Sequence, residues 1–176
     1  LCTIFSTAFF SMWLSNTATC LLMIPIIKFI VDTTLNKRED EYFSKMLILA
    51  VAYSASIGGM ITPIGTIPNA ILVAFLNENY NYQIDFIDWL LFTLPIATLI
   101  LISLWLYFSI NTKDDGKQLD LKMILKRFKE LGGLSNAEKV SGFVIVLTGF
   151  LWIFKTKINS FFGINFSDSG IAITVS

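Results

Sequence analysis

The sequence predicts an all-α integral membrane protein. Of its 176 residues, 55% are hydrophobic and only 15% are charged, whereas soluble domains average about 45–50% and about 25%. The charges lie in clusters, and the stretches 46–77 and 89–112 contain none. Apolar runs of about 20 residues are long enough to cross a bilayer as helices. The balance of 13 basic and 13 acidic side chains argues against nucleic-acid binding, and the lack of histidine removes imidazole catalysis and histidine-ligated zinc.

The first apolar stretch, residues 1–31, has a polar segment at its centre. Two structures fit it: a single tilted helix, or a hairpin that turns at Ser15-Asn16-Thr17 inside the membrane. On a helix, Ser11 and Ser15 are four residues apart and therefore share one face. Hydroxyl, amide and freed carbonyl oxygens that converge where a helix ends would suit a cation such as Na⁺.

The second apolar stretch, residues 46–77, is too long for one plain span, because an unbroken helix would extend roughly 48 Å at about 1.5 Å per residue. Two prolines and three glycines lie near its middle, namely Gly58, Gly59, Pro63, Gly65 and Pro68. Each proline removes a backbone donor and disfavours helical angles at the preceding residue. We therefore predict a discontinuous transmembrane helix, whose unwound backbone is tolerated only in a protein interior or beside a cavity. The half-helix beginning near Pro68 would present free N–H groups to an anion.

Two more spans are predicted at residues 86–110 and 135–158. The second of them begins at a predicted capping box, in which Ser135 and Glu138 exchange hydrogen bonds. Between the two spans, residues 119–131 place leucines and a phenylalanine at helical spacing opposite basic side chains. This pattern predicts an amphipathic helix on the membrane surface; a basic soluble loop is the alternative.

The loops predict the orientation of the chain. Lysine and arginine are concentrated in residues 32–45 and 111–139 and are missing from residues 77–88. The positive-inside rule therefore places residues 32–45 and 111–139 in the cytoplasm and residues 77–88 outside. Two lysines at the end of the last complete span then fall on the outer side, a mild exception. Residues 168–176 would begin another span, and we expect the sequence to be a piece of a longer multi-pass protein of the cell (inner) membrane.

The two polar segments resemble those of the divalent anion/sodium symporter family. The resemblance rests on three motifs: Ser15-Asn16-Thr17, then Gly58-Gly59-x-x-Thr62-Pro63-Ile64-Gly65-Thr66-x-Pro68-Asn69, and the link from Leu131 to Lys139. Members of this family carry di- and tricarboxylates such as succinate and citrate, or sulfate. The resemblance implies a sodium-coupled symporter, and it implies that residues 1–31 form a re-entrant hairpin that opens to the cytoplasm.

The resemblance also implies two sets of binding residues. The sodium ligands would be Ser11, Ser15, Asn16 and the backbone around Gly65. The residues that face the substrate carboxylate would be Asn16, Thr17 and Thr66. The implied partners are a small anion, Na⁺, membrane lipid and a second copy in a homodimer, and no organic cofactor is implied.

The same resemblance implies an elevator-type transporter built from an inverted repeat, of which this sequence holds one half. Residues 1–110 would belong to the moving transport domain, and residues 111–176 would form the linker and the start of the scaffold. The other half would supply a second Ser-Asn-Thr hairpin and complete the binding site.

Other functions compete with sodium-coupled anion transport. Proton coupling would need an ionisable residue inside the membrane, and none lies deep in a predicted span. A related permease of the same architecture for arsenite or another anion is one alternative. A structural membrane subunit is another, and an unbroken helix through residues 46–77 would favour it. We do not expect an enzyme, because a serine type needs a base partner and an aspartyl type needs paired membrane aspartates.

Overall fold

The computed structural model describes residues 2–34, 40–111, 133, 135–162 and 170. These residues form six α-helices and no strand: α1 (Cys2–Ser11), α2 (Asn16–Thr34), α3 (Asp40–Met60), α4 (Ile67–Tyr80), α5 (Phe86–Asn111) and α6 (Asn136–Phe162). The predicted all-α class is thereby confirmed for this part of the chain. The amphipathic helix predicted at 119–131 lies outside the described residues, as does the span predicted at 168–176 apart from Gly170.

Three stretches of helix in the described residues are long and apolar enough to cross a bilayer. They are Tyr42–Met60 in α3, Phe86–Asn111 in α5 and Asn136–Lys155 in α6. Large apolar side chains on α4, α5 and α6 lie exposed, for example those of Ile71, Phe92 and Val146. Soluble proteins rarely expose so much contiguous apolar surface, so the surface agrees with the membrane assignment.

The described residues divide into two compact units. The first contains α1 to α4 together with α5 from Trp89 onwards, and the second contains Asp85–Asp88 together with α6. In the first unit, α1 and α2 both pack against α3. A core of apolar side chains joins α1, α3 and α5: Ile4, Ala8, Ala50, Ile57, Ala97, Leu101 and Phe108. Each large aliphatic or aromatic side chain buried in this way contributes about 1.5–3 kcal/mol relative to its exposed state.

The chain reverses its direction between α1 and α2. Ala8 of α1 lies against Gly58, and Met12 just after α1 is bonded to Thr62, so α1 and α3 run the same way. In contrast, α2 starts at this end of α3, where Asn16 meets the helix, and its later residues pack against the early half of α3. Helix α2 therefore runs opposite to α3. The alternative of a single tilted helix through residues 1–31 is wrong.

Helix α5 is fixed to the end of α3 by two hydrogen bonds. The indole N–H of Trp89 donates to the Met60 carbonyl at 3.1 Å, and the Thr93 hydroxyl donates to the Ile61 carbonyl at 2.8 Å. The last carbonyls of a helix have no partner within it. Side chains of α5 thus supply donors to carbonyls that the end of α3 leaves free.

In the second unit, an ion pair and a ring stack join the start of α5 to α6. Lys155 Nζ lies 2.6 Å from Asp85 Oδ1, and the Phe86 and Trp152 rings stack with centroids 5.3 Å apart. Asp85 and the later part of α6 therefore lie close together. Lys155, one of the two lysines that are exceptions to the positive-inside rule, thus has a carboxylate partner.

The predicted capping box at the start of α6 is confirmed. The Ser135 N–H donates to Glu138 Oε2 at 2.7 Å, and the Glu138 N–H donates to Ser135 Oγ at 3.2 Å. Each side chain satisfies a backbone donor that the first turn of a helix leaves unpaired. These four residues therefore determine where the last described helix begins.

Candidate ion and substrate site

The first helix break comprises residues 12–15, between α1 and α2. The Leu14 N–H donates to the Phe10 carbonyl at 2.9 Å, which continues the helical bonding just past the end of α1. Helix α2 then begins at once, because Ser15 Oγ accepts the Ala18 N–H at 3.3 Å and caps the new helix. Helix α2 therefore begins at a single serine cap, and the turn before it contains neither proline nor glycine.

The second break comprises residues 61–66, between α3 and α4, and coincides with the cluster of prolines and glycines in the sequence. Thr66 precedes α4 with extended backbone angles, and Pro68 lies in the first turn, where a missing N–H costs no helical bond. The Thr66 hydroxyl makes no capping hydrogen bond. Helix α3 begins at Asp40 and α4 ends at Tyr80, so the two helices extend beyond both ends of the predicted discontinuous helix.

Asn69 holds the second break in shape. Its side-chain amide donates to the Gly59 carbonyl at 3.0 Å and to the Thr62 carbonyl at 2.8 Å, and the residue is only 9% exposed. In a continuous helix the Gly59 carbonyl would accept the N–H four residues later, but that residue is Pro63, which has none. The asparagine therefore replaces the hydrogen bond that the proline removes.

The two breaks contact each other. The Thr62 hydroxyl is fully buried and donates to the Met12 carbonyl at 2.6 Å, which bridges one break to the other. A β-carbon at Gly59 would overlap the side-chain amide of Asn16, and one at Gly65 would lie 2.6 Å from the Gly59 carbonyl oxygen. At Gly65 the clash is with backbone, so glycine is required there, whereas a side chain at Gly59 would displace the Asn16 amide.

Three oxygen atoms converge where the breaks meet, and we call them the oxygen cluster. Ser11 Oγ lies 2.7 Å from the Ala55 carbonyl oxygen and 2.9 Å from Asn16 Oδ1. A serine hydroxyl has one hydrogen, so it can serve only one of these acceptors at a time. Ser11 and Ala55 are fully buried. The cluster therefore has more acceptors than hydrogens, which is the chemistry of a cation site.

The predicted sodium ligands are only partly brought together. Ser11 and Asn16 are in contact, and Gly65 reaches them through Gly59, which lies against both Gly65 and Asn16. Ser15 is exposed, and its oxygen caps α2. The role of these four residues as ligands stays a prediction.

The predicted substrate residues lie at the starts of two helices. Thr17 is exposed in the first turn of α2, and Thr66 is half-buried immediately before α4. Asn16 is half-buried at the start of α2, and its Oδ1 belongs to the oxygen cluster. Neither Asn69 nor Thr62 was predicted to have a role of its own, although both belong to the second motif. The position of Asn69 directly after Pro68 was the signal in the sequence that could have predicted its role.

Comparison with known proteins identifies the family of the chain. Residues 1–174 match the profile of a family described as CitMHS, citrate transporter. The chain belongs to the CitMHS citrate transporter family. This confirms the predicted relationship to the divalent anion transporters, and together with the three membrane-capable helices it confirms an integral membrane protein of the cell membrane. The family is one of transporters rather than enzymes.

The chain is also similar in sequence to individual proteins that are named as transporters. The chain is 34% identical over 158 residues to the sodium-dependent dicarboxylate transporter SdcS of Staphylococcus aureus strain USA300. It is equally similar to the proteins of the same name from strains NCTC 8325 / PS 47 and bovine RF122. Each match covers 84% of this chain and 30% of the relative. The chain therefore spans about a third of the length of these relatives.

Proposed function

We propose that this chain belongs to a sodium-coupled symporter of divalent organic anions, such as C4-dicarboxylates or citrate, or of sulfate. The observation that carries the proposal is the oxygen cluster, which is buried, uncharged and located where two helix breaks meet. Broken helices of this kind supply ion and substrate sites in secondary transporters. The relatives named as sodium-dependent dicarboxylate transporters support both the ion and the substrate class.

In this proposal, Na⁺ binds at the oxygen cluster. The Ser11 hydroxyl turns its hydrogen to the Ala55 carbonyl, 2.7 Å away, which leaves its lone pairs and Asn16 Oδ1 for the ion. The backbone at Gly65 adds carbonyl oxygen. Ser15 Oγ has two lone pairs and uses one to accept the Ala18 N–H, so the other remains available. All of these donors are neutral oxygens, which bind Na⁺ strongly enough for selectivity and weakly enough for release.

The anion binds at the starts of α2 and α4. The free N–H groups and the positive dipole end of each helix attract a carboxylate. Thr17 is exposed, and the Thr66 hydroxyl is not used for capping, so both hydroxyls are available to carboxylate oxygens. No Lys or Arg side chain is needed, because Na⁺ and the helix ends supply the positive charge.

Asn16 couples the ion to the anion. Its side-chain oxygen lies in the cluster, 2.9 Å from Ser11 Oγ, and its NH₂ group points the other way along the same planar amide. When Na⁺ binds the oxygen, the amide is held with its donors toward the substrate carboxylate. The affinities for ion and anion then rise together, and this mutual dependence is what coupled transport requires.

The wider architecture is proposed on the same basis. The α1–α2 pair is a re-entrant hairpin open to the cytoplasm, and an inverted second half completes the site from its other side. Residues 1–110 move as the transport domain and residues 111–176 belong to the linker and scaffold of a lipid-embedded homodimer. The match to only 30% of the relatives' length supports a site that is completed elsewhere.

The test is uptake of labelled succinate, citrate and sulfate by the full-length protein in proteoliposomes. We expect uptake with an inward Na⁺ gradient and none when choline replaces Na⁺. Uptake that is unchanged in choline but follows a proton gradient would overturn sodium coupling. Uptake of arsenite without any of these anions would favour the related permease, and no uptake of any solute by correctly folded protein would favour a structural subunit.

A further inference from the structure

Thr19 in α2 has a buried hydroxyl group without a hydrogen-bond partner. The residue is 0% exposed, and its Oγ1 contacts neither a donor nor an acceptor among the described residues. A threonine in a helix usually donates to the carbonyl four residues earlier. For Thr19 this carbonyl belongs to Ser15, and it accepts only the backbone N–H of Thr19, at 2.9 Å.

The usual bond is common elsewhere in this chain. Seven serine and threonine hydroxyls in the described helices donate to the carbonyl four residues earlier, namely those of Ser6, Thr7, Ser54, Ser56, Thr98, Ser103 and Thr148. Thr7 and Ser54 make this bond although they are fully buried. Thr19 is equally buried and does not make it, so its hydroxyl is left for another partner.

The position of Thr19 shows which site its hydroxyl adjoins. Asn16, Thr19 and Met23 follow one another at spacings of three and four, which places them on one face of α2. Asn16 lies in the oxygen cluster, and Met23 packs with Val51 of α3 in an apolar core. Thr19 therefore lies one helical turn from the oxygen cluster, on the side of α2 that faces α3.

We propose that Thr19 Oγ1 is a further ligand of Na⁺ at the oxygen cluster, an inference that rests on the proposed function. A buried hydroxyl without a partner is costly, whereas valine would fill the same volume without that cost. The ion supplies the missing partner. A carboxylate substrate does not, because the residue has no exposed surface through which so large a group could reach it.

The experiment measures Na⁺-induced thermal stabilisation of the purified full-length protein in detergent, in NaCl and in choline chloride of equal ionic strength. For the wild type we expect Na⁺ to raise Tm. Thr19→Val should raise the half-saturating Na⁺ concentration on the order of tenfold, as expected for one lost oxygen ligand to an ion. In choline its Tm should equal or exceed that of the wild type, because the unpaired hydroxyl is gone. Thr19→Ser should keep the wild-type response to Na⁺.

Thr3 provides a matched control. Its hydroxyl is the other buried one without a partner in the described residues, and it lies eight residues from Ser11, roughly 12 Å along the helix. Thr3→Val should leave the Na⁺ titration unchanged. If Thr3→Val and Thr19→Val shift the titration equally, the proposal is overturned.

The remaining outcomes are also decisive. A wild-type Na⁺ titration for Thr19→Val would show that the hydroxyl is only an unsatisfied polar group, and would overturn the proposal while leaving the sodium site intact. If Thr19→Val does not fold, Thr19→Ala and Thr19→Ser replace it; weakened Na⁺ binding in alanine alone supports the proposal, and equal binding overturns it. Failure of the proposed function looks different, because the wild type itself would then show no stabilisation by Na⁺.

Discussion

The two helix breaks meet in space but are held by different means. The break between α1 and α2 contains neither proline nor glycine, and its Met12 carbonyl is satisfied by Thr62 from the other break. The break between α3 and α4 is built from prolines and glycines and is closed by Asn69 from its own following helix. The second break is therefore held by Asn69 and by Thr93 of α5, without a donor from the first break, whereas the first depends on the second. Substitutions in the second break should disturb both, and those in the first should remain local.

The largest effect is expected where both breaks contribute to one residue. Asn16→Ala removes an oxygen from the cluster and the amide that links ion to anion, so transport should be abolished while expression and Tm in choline stay near wild type. Uptake in proteoliposomes measures transport, size-exclusion chromatography measures the yield of folded protein, and thermal unfolding in choline chloride measures Tm. Asn111→Ala is the control, because that exposed asparagine only donates to the Tyr107 carbonyl. Substantial sodium-driven uptake by Asn16→Ala would remove Asn16 from the site.

The next largest effect tests whether Asn69 holds the second break in shape. Asn69→Leu leaves the Gly59 carbonyl buried without a donor and leaves the Thr62 carbonyl only the Gly65 N–H, at 3.3 Å. We expect this to lower stability by about 2–4 kcal/mol. Chemical unfolding in detergent, monitored by tryptophan fluorescence, measures the loss. Asn79→Leu is the matched control, because Asn79 makes a similar bond to the Phe75 carbonyl on an exposed surface. Equal losses in the two variants would argue that Asn69 does not hold the break.

A smaller effect is expected from separating the two breaks. Gly59→Ala places a methyl group against the Asn16 amide, and overpacking of this kind costs about 1–3 kcal/mol. Na⁺ affinity should fall with stability, because the displaced amide carries an oxygen of the cluster. Gly142→Ala is the control, since a β-carbon there meets nothing within 4 Å. An unchanged Na⁺ titration in Gly59→Ala would contradict the close contact between the breaks.

The smallest effect is expected from removing the hydrogen bond from Thr62 to the Met12 carbonyl, which joins the two breaks. Thr62→Val leaves the Met12 carbonyl without its donor and should cost about 1–2 kcal/mol. Hydrogen exchange should increase in residues 12–15 and stay unchanged in α4, if the first break depends on the second. Thr98→Val, which removes an exposed intrahelical bond, should leave both regions unaffected. Increased exchange in α4 as large as that in residues 12–15 would contradict this dependence.

Features that arise from local chemistry can be predicted from the amino-acid sequence. Its uncharged runs specify membrane-length helices because a bilayer core is apolar, and the prolines specify the second break because they remove backbone donors. The Ser135–Glu138 capping box specifies the start of α6 because both partners lie in one turn. For residues 1–31 the local signals were weaker and left the hairpin and the tilted helix open. A serine cap competes poorly with helix continuation until neighbouring helices satisfy the freed carbonyls.

Contacts between distant groups could not be predicted and were revealed by the folded structure. It brought the Ser11 hydroxyl to the Ala55 carbonyl, 44 residues away, and the Asp85 carboxylate to Lys155, 70 residues away. It also left the Thr19 hydroxyl buried without a partner. Contacts of this kind depend on how whole helices pack, and between α1 and α3 the packing is close because Gly58 lies against the Ala8 backbone. Periodicity places a residue on one face of its helix, but only packing determines which group lies opposite.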